Sequence, residues 1–171
     1  RVARPSAWAD AAATATSPSV AAVVAASRAM TATPDRWRPA YVGVGSNLDA
    51  PQERVTAALR DLAARDDPRA FRASDLWSSA PVGTGPQPDY INAVAAFLWS
   101  GAPDSLLQML LELEREHGRV RDGVRWAPRR LDLDLLLLSD VVTETPTLTL
   151  PHPRMTERAF VLRPLATLAP T

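Results

Sequence analysis

The chain has 171 residues, room for one domain of ordinary size with a substantial core. Its 19 Lys+Arg balance its 19 Asp+Glu, so no global basic field marks a nucleic-acid binder, and any anion site must come from local clustering. There is no cysteine, which excludes disulfides, thiolate metal sites and a cysteine nucleophile. No apolar stretch approaches the roughly 20 residues that span a bilayer. These features fit a cytoplasmic protein with no membrane partner.

Residues 1–38 are mostly Ala, Ser, Thr, Val and Pro, with little periodicity and few large apolar groups. Such a segment cannot bury enough surface to order itself, and it is expected to be a disordered or linker-like extension, with the folded domain spanning 39–171. Because the chain starts at Arg1, a processed or fragmentary N-terminus is expected, with the segment a linker from something upstream. The Arg/Ser-containing, acid-poor composition has minor features of a transit peptide, and Val20 to Ala26 of a short signal core.

Ala40 to Gly45 is a short apolar strand ending in the turn signal Gly45-Ser46-Asn47. Pro51 suits the first turn of a helix, Asp49 its cap, and Val55, Ala58, Leu59 and Leu62 repeat at helical spacing. Phe71 to Ser79 alternates as a strand. A Pro/Gly-rich loop runs from Ala80 to Asp89, and Tyr90 to Trp99 is again a strand. Pro103 opens a second helix with a stripe of Leu107, Leu110, Leu111 and Glu114 and a C-terminal Gly118. An arginine-bearing loop leads into a strand over Asp132 to Leu138. Thr147 to Leu150 adds a short strand, and Arg154 to Leu168 a last helical or irregular piece. The order predicts an α+β, ferredoxin-like βαββαβ core with an antiparallel sheet, helices on one or both faces, and a C-terminal extension.

The most informative stretch is Arg125-Trp126-Ala127-Pro128-Arg129-Arg130-Leu131-Asp132-Leu133-Asp134-Leu135. Alternation on a strand puts Asp132 and Asp134 on one face and Leu131, Leu133 and Leu135 on the other, toward a core. Two like charges side by side repel, and a divalent cation removes the conflict. Carboxylate oxygens alongside substrate phosphates are the donors Mg²⁺ prefers. Arg125 and Arg129 add cationic donors suited to bidentate phosphate contacts. Together these groups read as a polyphosphate site. The plainer alternative is an acidic, half-exposed strand face with arginine surface partners, although exposed ion pairs contribute little.

Other motifs are less specific. Gly45-Ser46-Asn47 is first a strand-to-helix turn, and second a place where a ligand can approach exposed amides. Glu114 faces the core and needs a partner, for which a downstream arginine would serve. His152, between Pro151 and Pro153, is either a structural histidine or a phosphate donor. Trp77, Tyr90 and Phe160 are ordinary core candidates, whereas Trp126 lies in a polar loop.

From about Tyr41 to Pro170 the sequence resembles the 6-hydroxymethyl-7,8-dihydropterin pyrophosphokinase family of the folate pathway. The resemblance is carried, in order, by Gly45-Ser46-Asn47, Pro88-Asp89-Tyr90-Ile91-Asn92, Gly118-Arg119-Val120-Arg121, Arg125 to Asp134 and Pro151-His152. It implies transfer of pyrophosphate from MgATP to the pterin hydroxymethyl group, releasing AMP. It implies further that Asp132 and Asp134 hold two Mg²⁺ ions, and that Arg119 and Arg129 share the catalytic centre with them. Arg121, Arg125, Trp126, Leu135, Thr149, His152 and Arg158 would contact ATP. Gly45, Ser79, Ala80, Val82, Tyr90, Asn92 and Phe160 would form the pterin slot, with loops 80–89 and 119–129 closing over the substrates. Ala127 stands where Gly is common, Ser79-Ala80 where Thr-Pro is frequent, and Arg130 where Thr is found. None of these removes a group the chemistry needs. The expected partners are small molecules only, and the expected state is a monomer.

Two rivals remain at this level. Another two-metal nucleotidyl- or phosphotransferase on the same scaffold would release pyrophosphate rather than AMP. A non-catalytic ferredoxin-like module would consume no ATP, and scaffold alone does not decide.

Overall fold

The computed structural model describes residues 36–81, 86–119 and 130–168. The expected 1–38 extension therefore lies outside the described residues, apart from its last three positions, and so do Val82, Arg121, Arg125, Trp126 and Arg129.

Five strands form one sheet: β1 (Arg38–Ser46), β2 (Arg69–Ala73), β3 (Trp77–Ser79), β4 (Tyr90–Trp99) and β5 (Asp132–Leu138). The path runs β2-β4-β1-β5, with β3 also paired to β4, and every pairing is antiparallel. With helix α1 (Pro51–Ala63) after β1 and helix α2 (Pro103–Glu116) after β4, this is the ferredoxin-like α+β arrangement. The long central strand β1 is explained by its pattern. Ala40, Val42 and Val44 are buried on one face, while Gly43 and Gly45 leave the other face without side chains.

On the first face, α1 and α2 cover Val42, Val44, Leu131, Leu133, Leu135 and Leu138, joined by Val55, Ala58, Leu62, Leu106, Leu110 and Leu113. Each such buried leucine or valine contributes roughly 1.5–3 kcal/mol of transfer free energy. On the second face a 3₁₀ turn (Met155–Glu157) and helix α3 (Ala159–Leu168) pack over Val94 and Leu136. Helices therefore lie on both faces. The chain reaches the second one through a small hairpin of β6 (Thr143–Glu144) and β7 (Thr149–Leu150). The register of β1 with β5 shifts between Tyr41 and Val42, so Leu136 is an extra residue on β5. The bulge lets Leu136 and Leu137 both pack toward α3 before Leu138 returns to the first core. No described helix is long and apolar enough to cross a membrane.

Several expectations are corrected. The stretch expected as one strand over Phe71 to Ser79 is two, β2 and β3. Between them Ser74 exchanges hydrogen bonds with Val94: its amide donates to the Val94 carbonyl at 2.9 Å and its hydroxyl accepts from the Val94 amide at 3.0 Å. The α2 stripe is rotated: Leu106, Leu110, Leu113 and Glu114 are buried, while Leu107 packs at the margin and Leu111 is half-buried. Asp49 does not cap α1. The N-cap is Ala50 with no side-chain bond, and Asp49 and Ala50 both adopt left-handed backbone, which aspartate tolerates. The Asp49 carboxylate instead pairs with Arg130 at 3.1 Å, across to the start of β5. The strand expected over Thr147 to Leu150 is shorter, Thr149–Leu150, and its partner β6 was not anticipated.

Candidate active site

On β5 the alternation places Asp132 and Asp134 on the α3 face, where both line a cleft of about 240 Å³. The floor of the cleft is β1 stripped of side chains. Gly43 stands opposite Asp134, and Gly45 stands between Asp132 on one side and Asn92 on the other. A Cβ at Gly45 would lie 3.2 Å from the Asn92 Oδ1, so any side chain there would press on Asn92. The Asn92 amide donates to the Ser79 hydroxyl at 3.0 Å, which sets the side chain against β3. Tyr90 and Ala80 extend the wall on this side, and Phe160 and Val161 of α3 close it from the other.

The cationic groups come from three elements. Arg158, at the entry to α3, donates to Asp134 Oδ2 at 3.4 Å and lies 5.6 Å from the Phe160 ring centroid, a cation–π distance. His152 and Arg154 complete the rim. The backbone amide of Arg154 donates to His152 Nδ1 at 3.2 Å, which leaves the ring proton on Nε2. Burial holds the imidazole below its ordinary value; the Asp134 charge opposes this, and Arg158 and Arg154 reinforce it. His152 is thus a neutral ring with one N–H to donate.

Arg119 arrives by a defined turn. At the end of α2, His117 is the C-cap and Gly118 takes left-handed backbone. The Gly118 amide bonds the Arg115 carbonyl and the Arg119 amide bonds the Glu114 carbonyl, both at 3.0 Å, the Schellman pattern. This turn aims the Arg119 guanidinium at Asp132 Oδ1, 2.5 Å away, and at the buried carboxylate of Glu114. Glu114 also accepts from the Leu133 amide at 2.8 Å. The arginine partner that a core-facing Glu114 requires is therefore Arg119.

Ser46 and Asn47 act as fasteners. The buried Ser46 hydroxyl donates to the Arg130 carbonyl at 2.6 Å, and the Asn47 amide donates to the Gln87 side chain and the Pro88 carbonyl, both at 3.3 Å. They anchor the segments leading into β5 and β4, which together carry both aspartates and Asn92.

Of the residues singled out from sequence, Gly45, Ser79, Ala80, Tyr90, Asn92, Asp132, Asp134, His152, Arg158 and Phe160 share this one cleft. Arg119 joins it through Asp132. The Leu135 side chain is in the core on the far face, 4% exposed, so a nucleotide contact there would be made by its main chain. Thr149, half-buried on β7, is not part of the cleft wall. Sequence reasoning did not single out Gly43, Val44, Ala93, Leu136, Arg154 and Val161. Gly43 was findable, since it shares the face of Gly45 two residues on. Arg154 was not, because an exposed arginine after Pro153 carries no pattern.

The donor set suits a hard divalent cation. Two carboxylates face one cleft, and among the described residues no third His, Cys, Asp or Glu completes a protein-only cage. That leaves coordination positions for phosphate oxygens and water, the usual manner of Mg²⁺. The described walls enclose less than the ~300 Å³ of a drug-sized ligand pocket, enough for one small ring system beside the acidic mouth. Fold and site together define a transferase-type centre: a polar slot for a small ring next to a carboxylate pair edged with guanidinium groups.

The sequence profile described as 7,8-dihydro-6-hydroxymethylpterin-pyrophosphokinase matches residues 41–170, and the chain belongs to that family. It is 47% identical over 130 residues to the 2-amino-4-hydroxy-6-hydroxymethyldihydropteridine pyrophosphokinase of Pseudomonas aeruginosa, covering 76% of this chain and 80% of that protein. Proteins of the same name from Haemophilus influenzae and Synechocystis are each 41% identical. The first aligns over 130 residues, 76% of this chain and 81% of its own; the second over 137, 80% of this chain and 69% of its own.

Proposed function

We propose that the chain transfers pyrophosphate from MgATP to the hydroxymethyl group of 6-hydroxymethyl-7,8-dihydropterin, releasing AMP, in folate biosynthesis. The observation that carries this reading is the adjacency of the Asp132/Asp134 pair, each carboxylate already matched with a guanidinium, to the slot formed by Gly45, Asn92, Tyr90 and Phe160.

The pterin lies in the slot between Tyr90 and Phe160, and its amide edge is read by Asn92 over the bare Gly45. Asp132 and Asp134 would hold Mg²⁺, two ions in this reading, alongside the triphosphate of ATP. When bound, Mg²⁺ neutralises the triphosphate and makes its β-phosphorus more electrophilic. The His152 Nε2–H donates a hydrogen bond to a phosphate oxygen, and Arg158 and Arg119 offset charge beside the carboxylates. The pterin hydroxymethyl oxygen attacks the β-phosphorus, the bond to the α–β bridging oxygen breaks, and AMP leaves. Arg121, Arg125, Trp126 and Arg129, which the resemblance assigns to phosphate and nucleotide, lie outside the described residues. Positioning and charge account for most of the rate gain, and a weak base suffices for the hydroxyl proton.

The test is product analysis with the purified chain and MgATP. AMP together with a pyrophosphorylated pterin, formed only when the hydroxymethyl-dihydropterin is present, is the expected outcome. Release of inorganic pyrophosphate, the product of the nucleotidyl-transfer alternative, would overturn the reading.

A further inference from the structure

Glu114 is 1% exposed in the last turn of α2 and is not part of the cleft wall. Its Oε1 accepts from the Leu133 amide at 2.8 Å and from the Arg119 guanidinium. The same Nη1 of Arg119 donates to Asp132 Oδ1 at 2.5 Å. One guanidinium is therefore shared between a carboxylate sealed in the protein and a carboxylate that faces the cleft.

That sharing sets up a competition. A cation entering between Asp132 and Asp134 needs Asp132 lone pairs that Arg119 already engages, and it repels the guanidinium as well. A guanidinium largely removed from water, with its side chain 15% exposed, is costly to leave without a carboxylate. Glu114 removes that cost by keeping Arg119 paired when Asp132 turns to a cation. Its grip on the Leu133 amide falls between the two aspartates, so the strand that presents them stays fixed during the exchange.

We propose that Glu114 is a positioning residue that makes Arg119 an exchangeable counter-ion of the carboxylate pair, surrendering Asp132 to a divalent cation while remaining held on Glu114. This rests on the cation site proposed above for Asp132 and Asp134. Arg119 then occupies Asp132 before the metal arrives and is released beside the incoming phosphates once it has bound.

The experiment titrates the full chain with Mn²⁺ alone, with no nucleotide, and follows free Mn²⁺ by electron paramagnetic resonance. Glu114→Gln preserves the volume and an acceptor for the Leu133 amide but shifts Arg119 onto Asp132. It should weaken Mn²⁺ binding about tenfold. Arg119→Ala removes the competitor and should tighten binding. In the Arg119→Ala background the Glu114→Gln effect should shrink to about twofold, the remainder due to one lost negative charge nearby. An equal loss in both backgrounds would overturn the proposal, because Glu114 would then act only as bulk charge or support. Arg119→Ala that fails to tighten Mn²⁺ would also overturn it, a comparison independent of whether Glu114→Gln folds. Mn²⁺ binding that survives loss of both Asp132 and Asp134 would strike at the cation site itself, and this inference would fall with it.

Discussion

Gly45 and Asn92 are register partners across β1 and β4, and the glycine is bare at the point where the Asn92 carbonyl oxygen comes down onto it. A Cβ there would sit 3.2 Å from Oδ1, so the Asn92 side chain would have to shift by a few tenths of an ångström against its hydrogen bond to the Ser79 hydroxyl. Gly45→Ala should therefore displace Asn92 and raise the KM for the pterin by about tenfold, with a smaller change in kcat, since the aspartates on β5 are not pushed. Steady-state kinetics with ATP saturating reads this directly. An unchanged pterin KM would show that the close approach has no part in binding.

Asn92→Ala separates the two substrates. If Asn92, itself buried, reads the pterin edge as proposed, loss of its amide would leave that edge without a partner, a penalty of about 1–3 kcal/mol. Calorimetric titration should show pterin affinity falling about tenfold or more while binding of a non-hydrolysable ATP analogue stays nearly constant. Equal losses for both ligands would contradict the slot assignment.

Ser46→Ala tests the fastener between β1 and the entry to β5. Ser46 is fully buried and its hydroxyl donates to the Arg130 carbonyl at 2.6 Å, so the substitution breaks a tie between β1 and the entry to β5 and leaves a small void. The expected cost is about 1–2 kcal/mol in a denaturant melt. Thr56→Ala, which removes an exposed hydroxyl bonded within α1, should cost far less and serves as the control. Equal effects would mean that the Ser46 contact is not stabilising.

Much of this architecture was legible because it is written in burial. The apolar runs of β1, β4 and β5 bury a whole face, and the Asp-Leu-Asp-Leu alternation settled which way the carboxylates turn. The core-facing acid at Glu114 calls for a cationic partner, and Arg119 is one. The α2 phase was not legible, because leucines at 106, 107, 110, 111 and 113 allow more than one stripe. The tie from Glu114 to Leu133 selects the one observed. The break between β2 and β3 depends on a hydroxyl of Ser74 meeting a distant amide, which no local pattern announces. The same alternation that aims Asp134 at the cleft sends the Leu135 side chain into the core, so the nucleotide contact that the resemblance implies there falls to its main chain. Arg154 entered the cleft unannounced because the backbone after Pro153, rather than its own pattern, brings it there.

If Asp132 and Asp134 hold the metal on which pyrophosphoryl transfer depends, neither carboxylate is dispensable for turnover. Turnover of ATP to AMP, measured for Asp132→Ala and for Asp134→Ala alongside pterin binding without nucleotide, tests it most directly. Each variant should lose at least about a hundredfold in kcat, a few kcal/mol of transition-state stabilisation, while pterin affinity stays within about twofold of the parent. Near-normal turnover in either variant would contradict it.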